Sequence, residues 1–145
     1  MKKVVALASD HAGFLLKDEL AKYVQKLGYE VVDLGPETDQ KSVSYAEKGK
    51  ELAEYVYQNK PAFGIGVCGT GLGISYALNR HKGIRAARVT SLEDAHLAKQ
   101  HNDANVLVFG GRQIAPELAE QIVDEYIKTE FEGGRHIQRI EELDK

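Results

Sequence analysis

Residues 63–73 read FGIGVCGTGLG, from Phe63 through Cys68 to Gly73. The first five, Phe63–Val67, are short, apolar and partly β-branched, the composition of a strand covered on both faces in the middle of a parallel sheet. Gly69–Gly73 follows as a turn, and from about Gly73 to Arg80 the pattern is helical. A buried strand, a glycine turn and a helix in immediate succession form the basic unit of an α/β sheet.

The same unit recurs on either side. Upstream, Lys3–Ala8 reads as a strand and Phe14–Leu27 as a helix, with Leu16, Leu20, Val24 and Leu27 on one face and Gly28 as its stop. Tyr29–Asp33 is a second strand, Leu34–Ser42 a polar loop, and Ser44 an N-cap for a helix over Tyr45–Asn59 that Pro61 ends. Downstream, Ile84–Val89 is a fourth strand. Ser91 caps a helix over Leu92–Gln100 with Glu93 and Asp94 in its first turn, Asn105–Phe109 is the fifth strand, and Pro116 opens a helix to Thr129. Gly133–Gly134 introduces a last helix over Arg135–Leu143. Strands joined by helical crossovers predict a five-stranded parallel sheet with helices on both faces, since parallel neighbours need connections of that length and hand. The expected fold is a three-layer α/β/α sandwich, Rossmann-like in layout, with an extended C-terminal helical tail. No linker, repeat or low-complexity stretch interrupts it, so residues 1–145 are expected to form a single domain.

Composition narrows the partners. Hydrophobic residues at 43% and charged residues at 28% are ordinary for a globular domain, and a net charge of −3 provides no basic field for nucleic acid or anionic lipid. Any anion must therefore be held locally. The apolar run Val4–Ala8 is too short for a signal segment, and nothing approaches the ~20 apolar residues that span a bilayer, so the expected location is cytoplasmic. The single Cys68 excludes an internal disulfide or a multi-thiolate zinc site, and none of His11, His81, His96, His101 and His136 forms an HxxxH pair. No metal is expected.

Ligands of open parallel sheets bind beyond the carboxyl ends of the strands. Three of the five exits are unusual: Ser9-Asp10-His11-Ala12-Gly13, Cys68-Gly69-Thr70-Gly71-Leu72-Gly73, and Gly110-Gly111-Arg112. Each alone also suits an ordinary turn; together at one edge they suggest a site. Several motif names fail on inspection. Gly64–Gly69 spells GxGxxG, but it lies mostly within the strand, and Arg85 and Arg88 stand about twenty residues on, where a dinucleotide site places an acid. Gly66–Gly71 has P-loop spacing, yet Leu72 and Gly73 replace the lysine and the hydroxyl residue. A cysteine phosphatase loop would need arginine where Ile74 stands. What remains is a thiol at a strand end followed by backbone amides at a helix N-terminus, a place that suits an anion and favours the thiolate. A base beside oxyanion donors fits enolisation.

Two further signals lie elsewhere. Arg135 and Arg139 are four apart, on one face of the tail helix, as a phosphate clamp or as an exposed face paired with Glu141 and Glu142. His101 closes the fourth helix and precedes strand five, at the amino edge of its own sheet, whereas Cys68 is at the carboxyl edge. A five-residue strand spans roughly 16 Å, so His101 is either structural or supplied by another subunit.

Taken together, SDHAGF, CGTGLGIS, GIRAA, QHNDANVL and EGGRHIQR, in this order and across essentially the whole chain, resemble the ribose-5-phosphate isomerase B family, which includes allose-6-phosphate and galactose-6-phosphate isomerases. The resemblance implies a cofactor-free aldose–ketose isomerase of the pentose phosphate pathway, interconverting ribose 5-phosphate and ribulose 5-phosphate through a cis-enediolate. It implies Cys68 as the base, Thr70 beside it, and the amides of Gly69, Gly71 and Gly73 on the enediolate oxygens. It implies that His101 opens the furanose ring, that Asp10 and Asn102 contact the sugar hydroxyls with Tyr45 near the substrate, and that His11, Arg112, Arg135 and Arg139 bind the phosphate. Family members are dimers or higher oligomers with sites at the subunit interface, which accounts for His101. This chain reads Ser44-Tyr45-Ala46 where the family often has Asp-Tyr-Pro, and Ile74 where some relatives place a glutamate base. A six-carbon sugar phosphate is the neighbouring alternative. A non-catalytic phosphosugar-binding domain is the more distant one, and a receiver domain would want Asp and Lys where Cys68 and Arg112 stand.

Overall fold

The computed structural model describes residues 3–145. One all-parallel sheet holds β1 (Val4–Ser9), β2 (Glu30–Asp33), β3 (Phe63–Cys68), β4 (Ala86–Arg88) and β5 (Val106–Gly110), in the order β2-β1-β3-β5-β4. The helices are α1 (Phe14–Lys26), α2 (Tyr45–Asn59), α3 (Leu72–Asn79), α4 (Leu92–Asn102), α5 (Pro116–Lys128) and α6 (Arg135–Glu142). The three-layer sandwich expected from the strand and helix pattern is the fold observed.

The alternation of side chains along each strand splits the core in two. Val5, Leu7, Ile65, Val67, Leu107 and Phe109 face Leu16, Leu20 and Val24 of α1 and Ile122 and Val123 of α5, all buried. The opposite face presents Ala6, Ala8, Val106 and Val108 to Leu52 and Val56 of α2 and Ile74 and Leu78 of α3. Crossovers that move toward β2, or from β4 back to β5, put their helices on the first face. Those that move the other way put α2 and α3 on the second, as one crossover hand requires.

The second face is lined with small residues, and this accounts for the spurious GxGxxG. A Cβ at Gly64 would lie 3.2 Å from Val56 Cγ2, and one at Gly66 would lie 3.2 Å from Leu78 Cδ1. These glycines let helices approach the sheet closely and hold no ligand. Cys68 is on this face, at the last position of β3, so its thiol is directed toward the start of α3.

Several boundaries shift by a residue from expectation, and three differences have a specific physical reason. β4 keeps only Ala86–Arg88 of the expected Ile84–Val89, because it is an edge strand with a single partner; Ile84 is held in a turn by its N–H to the His81 carbonyl, and the Arg85 N–H goes to the Asn105 side chain. Leu27 is 45% exposed and not on the buried face, since it stands beyond the last turn of α1, where Gly28 at φ +105° turns the chain away. α4 extends through His101 to Asn102 and is closed by Asp103 in the left-handed conformation. The Pro116, Ser44 and Ser91 caps are where the sequence puts them.

A buried charge fixes the loop after β2. Lys17 is fully buried, with Nζ 2.7 and 2.8 Å from the two Asp33 carboxylate oxygens and 3.0 Å from the Pro36 carbonyl. The Ser9 N–H donates to the Gly35 carbonyl at 3.1 Å. The polar loop is thereby tied to the exit of β1, where the chemistry collects.

Candidate active site

The three unusual exits belong to three adjacent strands, β1, β3 and β5, so the sheet order assembles them at one edge. Ser9 pairs with Val67, and Cys68 with Gly110. Beyond the ladder, the Gly111 N–H donates to the Cys68 carbonyl at 2.8 Å and the Arg112 N–H to the Gly69 carbonyl at 3.1 Å. The sheet's backbone pairing thus continues one step into the loops, so loops that would otherwise be mobile inherit the strands' rigidity.

Asp10 is 6% exposed, and its carboxylate accepts the Gly13 N–H at 3.0 Å, capping a 3-10 turn over His11–Gly13. That turn directs His11 toward the loop before α2, where Nδ1 lies 3.1 Å from the Val43 N–H nitrogen and 3.3 Å from the Val43 carbonyl oxygen. Nδ1 accepts that N–H in one tautomer and donates to that carbonyl in the other, so the Val43 backbone anchors the ring either way.

Cys68 Sγ receives the Gly71 N–H at 3.2 Å, and the Leu72 N–H bonds Thr70 Oγ1 at 3.2 Å. An amide donor aimed at sulfur is a contact a thiolate accepts more strongly than a thiol does. The Gly71 amide, expected to hold a substrate oxygen, here faces the thiol. Its φ of +80° is what gives the turn this shape, and a Cβ there would press on the backbone of Phe109 and Gly110 at 3.1 Å. The amides of Gly73 and Ile74 start α3 with no carbonyl a turn behind them, the usual anion-holding arrangement.

Asp10, His11, Tyr45, Cys68, Gly69, Thr70, Gly73 and Arg112 line one open cleft of about 360 Å³, together with Ala12 and Tyr76. The Arg112 side chain lies over Gly69, whose missing Cβ would be 3.6 Å from Arg112 Cδ. Tyr45 opens α2 behind the Ser44 cap and lays its ring against Gly73, where a Cβ would come within 2.6 Å of it. Tyr76 had a signal in the sequence, standing three residues after Gly73 on the same helical face. A larger recess of about 560 Å³ opens at the amino edge near Lys3, Tyr29, Lys60 and Tyr126, and contains none of the predicted site residues.

The remaining predicted residues gather at the opposite edge. His101 and Asn102 end α4, and Arg85 bonds the Asn102 and Asp103 carbonyls at 3.0–3.1 Å. α6 packs on α4, helped by the Glu132 N–H to the Gln100 carbonyl at 2.9 Å, and carries Arg135 and Arg139 exposed. Arg135 pairs with Glu132 at 3.2 Å, not with Glu141 or Glu142. Between the arginines, His136 is buried and stacks on His101, centroids 4.7 Å apart and planes 15° from parallel. Burial, and then the nearby charges of Arg135 and His101, hold His136 below the usual histidine value. Sequence reasoning missed this stack, since no spacing rule links positions 101 and 136.

His101, Glu132 and His136 bring ligand-type atoms within 4.8 Å of one another. The lone pairs of two nearly parallel rings do not converge on one point, and Glu132 already answers Arg135, so the group is poorly shaped for a metal. Within one chain, the nine-residue predicted constellation around Cys68 comes together with Gly71 facing the thiol, while His101, Asn102, Arg135 and Arg139 form a second cluster across the sheet.

Fold and cleft together define a doubly wound α/β protein with a small-ligand site at the carboxyl edge, where the strand order reverses on either side of β1 and β3. The profile of the Ribose/Galactose Isomerase family matches residues 5–143. Ribose-5-phosphate isomerase B of Escherichia coli K12 is 42% identical over 143 residues, covering 99% of this chain and 95% of that protein. The crystal structure of a ribose 5-phosphate isomerase from Thermotoga maritima has a TM-score of 0.95 at 45% identity, covering 99% of both chains. That of Mycoplasma genitalium ribose-5-phosphate isomerase B, solved with bound ribulose 5-phosphate, has a TM-score of 0.92 at 38% identity, covering 97% of this chain and 93% of the other. The chain belongs to the ribose/galactose isomerase family.

Proposed function

We propose that this protein interconverts ribose 5-phosphate and ribulose 5-phosphate, with Cys68 as the base and with each active site built from two copies of the chain. The observation that carries the reading is the cleft at the exits of β1, β3 and β5. It places a thiol with an amide on its sulfur beside a helix start and beside two phosphate-capable donors, His11 and Arg112. Its relatives bear the same activity in their names, and one was solved with the ketose phosphate bound.

In the open-chain aldose, the Cys68 thiolate takes the proton from C2. The electron pair moves into a C1–C2 double bond and the carbonyl oxygen O1 becomes an enediolate oxygen. Return of the proton to C1, with the O2 proton passing to O1, gives the ketose with no net change in atoms or electrons. Developing negative charge on the oxygens is met by the amides of Gly69 and Gly73 and by Thr70, in a site whose donors are already fixed by the sheet. Asp10, with one carboxylate oxygen held by Gly13, retains the other for a sugar hydroxyl. Tyr45 forms one wall.

A second copy supplies the rest. His101 opens the furanose, Asn102 contacts a hydroxyl, and Arg135 and Arg139 join His11 and Arg112 on the phosphate. Three guanidinium groups and an imidazole converging on a dianion supply locally the attraction that a net-acidic chain lacks overall. The protein thus works as a homo-oligomer. The lone cysteine suits the cytoplasm, and among the described residues no helix is long and apolar enough to cross a membrane.

The deciding experiment is conversion of ribose 5-phosphate by purified protein in chelator, beside Cys68→Ala, with allose 6-phosphate as a second substrate. Turnover of the pentose that needs Cys68 supports the reading. A higher kcat/KM on the hexose moves the substrate, and Cys68→Ala with full activity removes the thiol from the base role.

A further inference from the structure

The Thr70–Gly71 peptide group has a different partner at each end. Its N–H, from Gly71, points at Cys68 Sγ, at 3.2 Å. Its carbonyl, from Thr70, points the opposite way and accepts Nε of Arg88 at 2.8 Å. A trans peptide is planar, with C=O and N–H antiparallel, so fixing one end fixes the other. We propose that Arg88 is a positioning residue for the catalytic thiol, acting through this one peptide to hold the Gly71 N–H on Cys68 Sγ. The proposal rests on Cys68 being the base.

Three features make the arrangement directional. Arg88 is the last residue of β4, and its Nη2 donates to Gln113 Oε1 at 2.8 Å, so two bonds from one planar fork set the orientation of the guanidinium. Gly110 leaves the passage open: a Cβ there would stand 2.8 Å from the Thr70 carbonyl group and 3.0 Å from Gln113 Oε1. Gly71 is in the left-handed region, where glycine lets a peptide rotate readily, so a flip that turned the carbonyl toward sulfur would meet little backbone resistance. Arg88 opposes that flip from outside the cleft. Its charge also polarises the peptide along its dipole, strengthening the N–H as a donor to sulfur.

None of this requires Arg88 to touch substrate, and it does not line the cleft. Its reach from the edge strand over the end of β5 to the turn after β3 couples three strand exits in one hydrogen-bonded chain.

The test uses the fact that Cys68 is the sole cysteine, so thiolate absorbance near 240 nm, corrected with Cys68→Ser, reports one sulfur. Arg88→Met keeps the length and removes the charge and fork, and Arg88→Lys keeps charge without the fork. The thiolate signal in Arg88→Met is expected to rise at a pH higher than wild type by roughly half a unit or more, with Arg88→Lys between them. kcat on ribose 5-phosphate should fall about threefold or more with KM little changed. Should Arg88→Met fail to fold, Arg88→Lys and Gln113→Ala carry the comparison. A wild-type sulfur titration in folded variants overturns the positioning. A shifted titration with unchanged kcat upholds the contact and overturns the catalytic role assigned to Cys68.

Discussion

His136 lies face to face on His101, their ring centroids 4.7 Å apart, and His136 is the buried member of the pair. Two imidazoles in this contact cannot both be charged without repulsion, and Arg135 and Arg139 on α6 add to the positive field, with Glu132 the one acid opposing it. His136, held low by burial, stays neutral in the folded protein while its unfolded counterpart takes up a proton below about pH 6.5. The unfolded state then binds more protons, so stability is complete above that pH and declines as pH falls toward the folded value. Melting temperatures at pH 7.5 and 5.5 should diverge in wild type, and His136→Gln should show a smaller difference. Identical differences in the two proteins would show that this ring does not carry the linkage.

Cys68 and His101 stand at opposite edges of one sheet, so under the proposed two-copy site two chains that are each deficient on ribose 5-phosphate should repair each other. In a mixed dimer of Cys68→Ala and His101→Ala, one site combines both lesions and the other has neither. Random exchange in an equal mixture makes half the dimers mixed, so about a quarter of wild-type activity on ribose 5-phosphate returns. Activity is to be followed after subunit exchange is verified by mass spectrometry. Exchange without recovery would mean that each site is completed within one chain.

Much of this was readable in the residues, and the physical reasons are specific. Phe63–Val67 announced a central strand because nothing polar interrupts it, and the caps at Ser44, Ser91 and Pro116 announced helix starts because orphan N–H groups select those residue types. The strand exits were readable as a set because parallel topology sends every one of them to the same edge. The order β2-β1-β3-β5-β4 was not legible, since an edge strand such as β4 differs from a central one only in how many neighbours it has. Contacts remote in sequence, such as Arg88 with Thr70, His136 with His101 and Lys17 with Asp33, follow from packing and carry no periodic mark. Gly71 was recognised as an anion-turn glycine, but which way its N–H points is a property of the folded turn.

Gly73 offers a test in which two effects oppose each other. It stands within α3 at an ordinary helical conformation, so Gly73→Ala should gain about 0.5–1 kcal/mol from backbone entropy alone. The new Cβ, however, would come within 2.6 Å of the Tyr45 ring. Such overpacking costs roughly 1–3 kcal/mol, so a net loss of stability is expected together with a raised KM as Tyr45 leaves the cleft wall. In a Tyr45→Ala background the clash is absent, and the same substitution should become neutral or stabilising by urea unfolding. If Gly73→Ala destabilises equally in both backgrounds, the ring is not what excludes the side chain.

Ring opening and proton transfer can be separated by the direction of the reaction. Ribose 5-phosphate closes through O4 and is mostly a furanose in water, so an enzyme that consumes it quickly must open the ring. Ribulose 5-phosphate has its C5 oxygen esterified and cannot form the furanose of a 2-ketose, so it reaches the site already open. A variant lacking only the ring-opening group therefore still turns ketose into open-chain aldose, which closes in solution after release. His101→Ala should lower kcat/KM for ribose 5-phosphate by about 10²-fold or more, in the range of general acid–base contributions, while ribulose 5-phosphate consumption falls far less. Cys68→Ala should abolish both directions equally, because the enediolate lies on the path either way. The assay follows each direction from its own substrate, with the aldose product trapped as it forms. Equal losses in both directions for His101→Ala would place His101 in the proton transfer itself, and no loss in either would return it to the structural partner of His136.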